Sequence, residues 1–318
     1  MQPTLDIVVV NWRSGDLVDG CLRAVATSVQ HGFELGWVHV VDNSPEEPYS
    51  PRSAAGLRLN ILTNRDNRGF AAACNQAAQI AGSDYVLFLN PDCRVLPETL
   101  AAAMGYFATD AGRRCGALGV QLLDEEGRVQ RTCTEFPGPG RLCLQALGGN
   151  AVSPRLAGSF MVDFDHRSTR AVDQVMGAFL LMPRALFLEI GGFDERFFLY
   201  FEDLDLCRRL REAGHEVIFF AAAQAVHAGQ GTTRKALAQR QFLHARSRLL
   251  YCAKHFGTGA ALRLGLVSFL VEPVLRLVAG LFRGGPGQTL AGMRGARLLW
   301  RDLPRLLQVV RIDSRSRS

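Results

Sequence analysis

Four carboxylates and one imidazole stand where an apolar run ends or a helix begins, places from which a side chain can act on a ligand. The run "DYVLF" meets Asn90, Pro91 and Asp92. Proline cannot donate to a sheet ladder, so a strand must stop near Asn90 and leave Asp92 at its mouth. Asn-Pro-Asp is good turn chemistry. A carboxylate there also suits Mg2+ or Mn2+, hard cations that take one or two carboxylates plus phosphate oxygens. Asp42 closes a second run, "WVHVV". It can accept hydrogen bonds from a base or ribose, or fold an Asx turn with Asn43. His227 follows "EVIFFAAAQAV" and precedes Gly229, where an imidazole either completes a metal site from the opposite side or serves the structure. Glu202 and Asp203 open "EDLDLCRRLREAG". Acids at a helix start satisfy the dipole and the free N–H groups. The preceding run Phe197 to Phe201 would add a partly apolar wall, which raises a carboxyl pKa and suits a general base.

The elements that must hold these residues follow from the hydrophobic pattern. "LDIVVVNW" (5–12) is a short β-branched run, as expected for a buried parallel strand ending at Asn11. Behind Ser14 or Asp16 as N-cap, Leu17, Cys21, Leu22, Val25 and Val29 fall at helical spacing. Strands are expected over 37–44, 59–64 and 84–92, and an Ala-rich helix enters through Gly69. This alternation implies a mostly parallel sheet with right-handed crossovers. Four strand ends then carry polar residues: Asn11, Asp42, Asn64 and Asn90/Asp92. Ligands of open α/β sheets bind outside those ends. After residue 114 a strand runs into a hairpin near Glu126-Gly127. Residues 133–172, rich in Pro, Gly, Ser and Arg, read as loop, and 174–229 as strand, helix, loop, helix and strand.

Composition narrows the partners. The net charge of +6 is uneven: 254–318 holds eleven basic and three acidic residues, so the preceding 253 are slightly acidic. A nucleic-acid binder would carry its positive charge on the folded body. The eight cysteines form no CxxC pair and no zinc spacing, and the N-terminus lacks a signal-peptide pattern. A cytoplasmic location follows as the expectation. In the tail, "LRLGLVSFLVEPVLRLVAGLF" (262–282) has membrane-span length, but Arg263, Glu272 and Arg276 interrupt it. Arg294, Arg297, Arg301 and Arg305 share one helical face near Trp300 and several leucines, the make-up of a helix lying on anionic lipid. The alternative is a solvated basic helix packed on the domain.

The stretches "VVVNW", "VVDNS", "NRGFAAACNQA", "FLNPD" and "GGFDERFFLYFEDLDLCRRLREAG" resemble, in this order, the family-two glycosyltransferases of the GT-A fold, most of all their bacterial rhamnosyltransferase branch. The resemblance covers about residues 5–255. It implies a Rossmann-like, mostly parallel sheet flanked by helices, a catalytic domain over 1–255 and a basic amphipathic helical tail over 256–318. It further implies Asn11, Asp42, Asn67, Gly69 and Asn90 at the nucleotide. Asp92 matches the last acid of the metal-binding DxD motif, with Asn90 in place of the first. Asp92 and His227 would hold Mg2+ or Mn2+, with Asp203 as the catalytic base beside Glu202. The expected reaction is inverting transfer from a nucleotide-diphosphate sugar, dTDP-L-rhamnose, to a lipid-linked or polysaccharide acceptor at the inner membrane face. A sugar-1-phosphate nucleotidyltransferase would need a Gly-rich phosphate loop after strand one, where this chain has "NWRSGDLVDG". A non-catalytic nucleotide-sugar-binding module predicts binding without turnover.

Overall fold

The computed structural model describes residues 2–52, 56–151, 153–229, 237–279 and 285–315. Parts of the tail expected over 256–318, namely 280–284 and 316–318, lie outside the described residues. The strands are β1 (Thr4–Asn11), β2 (Glu34–Asp42), β3 (Arg58–Thr63), β4 (Tyr85–Leu89), β5 (Cys93–Val95), β6 (Cys115–Leu123), β7 (Arg170–Val172), β8 (Phe179–Pro183) and β9 (Glu216–His227). They form one sheet in the order β3-β2-β1-β4-β8-β6-β9-β5, with β7 against β9. β1 runs parallel to β2 and β4, so Asn11 and Asp42 are register partners at the same edge. β4 stops at Leu89, as Pro91 requires.

The parallel alternation ends with β8. It enters the sheet from the carboxyl edge and runs antiparallel to both β4 and β6. Leu89 therefore faces Phe179, and the residues just before β8 lie beside those just after β4. No hydrophobic period distinguishes the direction of a fully buried strand, so this reversal was not readable in the apolar pattern.

The helices beside the sheet are α1 (Gly15–Ala26), α2 (Phe70–Ile80), α3 (Thr99–Phe107), α6 (Arg184–Glu189) and α7 (Glu202–Glu212). α1 buries Val18, Cys21, Leu22 and Val25, whereas Val29 lies past its end and is exposed. α2 lays Ala71, Ala73, Ala77 and Ala78 inward, small side chains that let a helix approach closely. From α2, Asn75 clasps Phe193 by donating to its carbonyl (2.8 Å) and accepting its N–H (2.9 Å). Arg209 of α7 donates to the carbonyls of Ile190 and Gly192, both at 2.7 Å. Gly192 has φ 65°, and a Cβ there would lie 2.6 Å from the Asn75 oxygen. The "GGFDE" turn is thus held from two helices around a glycine that nothing larger can replace. At the opposite strand ends, buried Asp6 accepts from Trp37 N–H (2.6 Å), Gly82 N–H (2.9 Å) and the Ser83 hydroxyl (2.7 Å). Burial alone would raise its pKa, and these bonds together with His39 lower it instead. It is a structural acid.

Compactness divides the chain into two units. The described residues of 1–135, 163–195 and 202–232 make the sheet unit, and those of 136–162, 196–201 and 233–318 make the other. The second unit holds α4 (Pro139–Ala146), α5 (Pro154–Ala157), α8 (Leu237–Phe256), α9 (Thr258–Leu266), α10 (Glu272–Ala279) and α11 (Gly285–Arg315), with a π-helical turn Val267–Val271 between α9 and α10. The segment 133–172 is therefore more ordered than its loop-like composition suggested. Compactness groups α8 with the helices that follow it, whereas 255/256 was expected as the boundary. Inside this unit Arg248, 2% exposed, meets Glu272 and the Ser268 hydroxyl (3.0 Å), and Arg276 also pairs with Glu272 (2.6 Å). The acid that interrupts the apolar stretch 262–282 is thus buried and compensated.

Candidate active site

At the carboxyl edge the first three strands present amides and one carboxylate. Asn11, 1% exposed, donates to Asp42 Oδ1 (2.8 Å) and accepts from the Ser14 N–H (3.0 Å) and hydroxyl (2.9 Å). Asp42 also accepts the N–H groups of Ser44 (3.0 Å) and Tyr49 (2.7 Å), which folds the loop after β2 over the strand end. The Asx-turn alternative for Asp42 is thus partly realised, with Ser44 in place of Asn43 as its backbone partner. Asn64 donates to Asn43 Oδ1 (2.8 Å), Asn43 donates to the Gly69 carbonyl (3.1 Å), and Asn67 accepts the Gly69 N–H (3.0 Å). Gly69 caps α2 with φ 84°, a conformation open to glycine. Asn11, Asp42, Asn67 and Gly69 therefore form one connected rim.

Asp92 and His227 meet across the β5–β9 pair, where Cys93 is the register partner of His227. Asp92 Oδ1 lies 3.4 Å from His227 Nε2, and each side chain is 8% exposed. The Asp92 carbonyl also accepts the Ala228 N–H (3.1 Å). The turn is closed by the Cys93 N–H donating to the Asn90 carbonyl (3.0 Å). A carboxylate and an imidazole make a two-donor set that fits a divalent cation completed by phosphate oxygens. Among the described residues no cluster of three or more such groups exists, so these two alone do not close a coordination shell.

Asp203 reaches this edge through two consecutive residues. The Asn90 N–H donates to the Ala178 carbonyl (3.0 Å), and the Gly177 N–H donates to Asp203 Oδ2 (2.9 Å). A Cβ on Gly177 would sit 3.4 Å from the Asp203 carboxylate, close packing that the bare glycine leaves open. The Leu204 N–H takes Asp203 Oδ1 (2.8 Å). Burial raises the Asp203 pKa, and hydrogen bonds from Gly177, Leu204 and the Gln174 side chain hold it back. Gln174 is itself gripped by the Thr134 hydroxyl. The two residues leading into α7, Tyr200 (φ 68°) and Phe201 (φ 70°), adopt left-handed backbone. Such conformations cost about 1–3 kcal/mol each and persist where the surroundings enforce them.

Glu202 differs from its neighbour. It is 6% exposed, and among the described residues nothing bonds its Oε2. Burial, then the Asp203 charge, hold its carboxyl well above the ordinary range. A carboxyl with a raised folded pKa stabilises the fold fully below its unfolded pKa of about 4.3 and loses that contribution as pH rises through the folded value. Glu202→Gln cannot ionise, so its melting temperature relative to wild type is expected to climb as pH rises from about 4 through the neutral range. Calorimetry across that range checks it; a pH-independent difference would mean that Glu202 ionises in the fold without penalty.

Gln130, Gln174 and Gly177 were not singled out in the sequence. Single glutamines in loops carry no spacing signal. Gly177, immediately before an apolar run, did carry one, because such a glycine marks close backbone approach.

Residues 3–247 match the model of a family described as Glycosyltransferase like family 2. Over 273 residues the chain is 28% identical to an N-acetylglucosaminyl-diphospho-decaprenol L-rhamnosyltransferase of Mycobacterium tuberculosis, covering 81% of this chain and 87% of that one. It is 27% identical over 176 residues to Rhamnosyltransferase WbbL of Escherichia coli, covering 55% and 63%. Among solved structures, a mannosyltransferase of Pyrobaculum calidifontis in complex with GDP-Man and Mn2+ superposes with a TM-score of 0.51 at 15% identity. That match covers 99% of this chain and 87% of the other, a likeness of fold, the GT-A fold.

Proposed function

This chain belongs to glycosyltransferase family 2, and we propose that its site transfers L-rhamnose, with inversion, from dTDP-L-rhamnose to a lipid-linked acceptor in cell-envelope glycan synthesis. The observation that carries the mechanism is the seam at Gly177 and Ala178. One residue bonds the base candidate and the next bonds the turn that carries Asp92. The rhamnosyltransferase names of two relatives support the sugar, and the decaprenol-linked substrate in one name supports the acceptor class.

In this reading the rim from Asn11 to Gly69 and Asn90 lines the nucleotide position, and Asp92 with His227 would hold Mg2+ or Mn2+. The cation, when bound, offsets charge developing on the leaving diphosphate. Asp203, oriented by two backbone N–H groups, takes the proton of the acceptor hydroxyl as that oxygen attacks the anomeric carbon. One in-line displacement inverts the configuration. Glu202, held toward its neutral form, leaves the negative charge of the pair on Asp203. The catalytic residues fall within 1–255, and the membrane-facing ones within 256–318.

A thermal-shift panel of dTDP-, UDP- and GDP-sugars with Mn2+ tests the donor. A ligand at about 100 times its Kd stabilises the native state by about 2.7 kcal/mol. The largest shift is expected with dTDP-rhamnose, followed by transfer to a polyprenyl-diphosphate sugar. A preference for UDP- or GDP-sugars would move the donor assignment, and binding without transfer would support a non-catalytic module.

Membrane contact is the second part of the reading. Among the described residues no helix is long and apolar enough to cross a membrane. Leu262, Leu266, Leu270 and Val274 are nevertheless exposed at every fourth position from α9 through the π turn into α10. Trp300 of α11 packs edge-on to Phe269 (5.2 Å), and Arg297 and Arg301 beside it are exposed. Apolar surface flanked by arginines suits the headgroup region of an anionic bilayer at the cytoplasmic face, where a lipid-linked acceptor would lie. α11 buries Leu299 and Leu306 in its own unit, so deleting it would bare apolar surface. Replacing Arg294, Arg297, Arg301 and Arg305 with glutamine is the cleaner test. At about 1 kcal/mol per arginine near the surface, binding to anionic liposomes, read by flotation, is expected to weaken by up to about a thousandfold. Equal flotation with neutral lipid would leave a solvated, packed helix instead.

A further inference from the structure

We propose that Gln130 is a positioning residue for the Asp92–His227 pair, its carboxamide fixing the His227 ring so that Nε2 presents a lone pair beside Asp92. The inference rests on the metal reading given above and adds a residue to it.

Gln130 follows the hairpin after β6, and its own N–H is anchored to the Leu122 carbonyl at 2.8 Å. Its side chain touches His227 twice. Nε2 lies 2.7 Å from the His227 carbonyl, and Oε1 lies 3.3 Å from ring Nδ1. The oxygen and nitrogen of an amide are assigned from their partners. A peptide carbonyl only accepts, so the amide atom 2.7 Å from it must be the nitrogen. The flipped amide would place two acceptor oxygens at that distance. The atom facing the ring is therefore an oxygen, which also only accepts, and Nδ1 must carry the hydrogen. In a neutral imidazole the other nitrogen is then bare. That nitrogen is Nε2, which lies 3.4 Å from Asp92 Oδ1. Two polar groups therefore stand side by side, one an anion and the other a lone pair, which is the arrangement a cation stabilises. A metal-ligating histidine almost always donates its second N–H to an oxygen that fixes tautomer and ring orientation. Gln130 occupies that place, and because it grips both ring and backbone of His227, neither can turn independently.

The test titrates Mn2+ into the full chain with dTDP present, for wild type, Gln130→Leu and Gln130→Glu. Leucine removes the acceptor, and Mn2+ affinity is expected to fall about 10- to 100-fold, the usual cost of losing an outer-shell partner. Glutamate keeps an acceptor for Nδ1–H but loses the donor to the His227 carbonyl, so it is expected to recover part of the affinity. Melting temperatures establish that each variant is folded. Wild-type affinity in Gln130→Leu overturns the proposal, as does an equal loss in both variants, which would mean that Gln130 only fills space. If Gln130→Leu does not fold, heteronuclear NMR of the imidazole nitrogens in the wild type decides, with His227→Ala assigning the signal. The Nδ1–H tautomer supports the proposal and the Nε2–H tautomer overturns it. Asp92→Ala and His227→Ala separate the two levels. If both bind Mn2+ as wild type does, the metal reading fails and takes Gln130 with it. If both lose Mn2+ while Gln130→Leu does not, only the positioning role fails.

Discussion

Asp203→Asn is expected to lower turnover by about two to four orders of magnitude, the usual worth of a positioned general base, while donor affinity barely moves. The side chain accepts the Gly177 N–H on one oxygen and the Leu204 N–H on the other. Asparagine can satisfy only one of these with its oxygen, so it also loses a hydrogen bond worth about 0.5–1.5 kcal/mol. A modest drop in melting temperature should therefore accompany the large drop in rate, and the two must be read separately. In the wild type, a base works only when ionised, so kcat/KM falls as pH drops through the Asp203 pKa. Burial raises that pKa, which moves the acidic limb above the ordinary aspartate value of about 3.9. The limb should disappear from whatever activity Asp203→Asn retains. Glu202→Gln assayed in parallel should keep most of its turnover. A dead Glu202→Gln beside an active Asp203→Asn would move the base by one residue, and two active variants would sink the mechanism.

Asp92→Ala is expected to abolish the metal-dependent part of nucleotide-diphosphate affinity. Losing an outer-shell partner already costs about 10- to 100-fold in metal affinity, so removing a direct ligand should reach at least the upper end of that range. The turn itself should survive. Its closing bonds are made by the backbone of Asn90, Cys93, Asp92 and Ala228, none of which needs the carboxylate. Calorimetry of dTDP binding with Mn2+, and again with chelator, separates the contributions. Wild type and variant should coincide in chelator and diverge with metal. Equal affinity under all four conditions would reduce Asp92 to a turn residue.

Much of this candidate site is legible in the sequence, because strand ends are written in local chemistry. Pro91 must end β4, and β4 does stop at Leu89. The β-branched run ending at Asn11 and the apolar run ending at Asp42 must present polar residues at one edge once the strands are parallel, and Asn11 and Asp42 are register partners. Glu202 and Asp203 open α7, where the N–H groups of a first turn favour acids. The alternation implied a parallel α/β sheet, and the resemblance carried by the motifs along it implied the GT-A fold.

The antiparallel course of β8 was not legible, because a buried run reads the same in either direction. That course sets Gly177 and Ala178 between Asp203 and Asn90, joining residues more than a hundred positions apart. Residue type and spacing did not rank Glu202 against Asp203; only the family resemblance favoured Asp203. The difference lies in who donates to each carboxylate: Asp203 finds the backbone of Gly177, and Glu202 Oε2 finds nothing among the described residues. Gln130 had no signal at all, since its significance comes from a carbonyl and a ring nitrogen brought to it from a strand ninety-seven residues away. Residue type and local spacing determine which groups can do chemistry. Which of them share a proton, a tautomer or a charge is decided by long-range pairing, because hydrogen bonds and desolvation act over a few ångströms of space and take no account of separation along the chain.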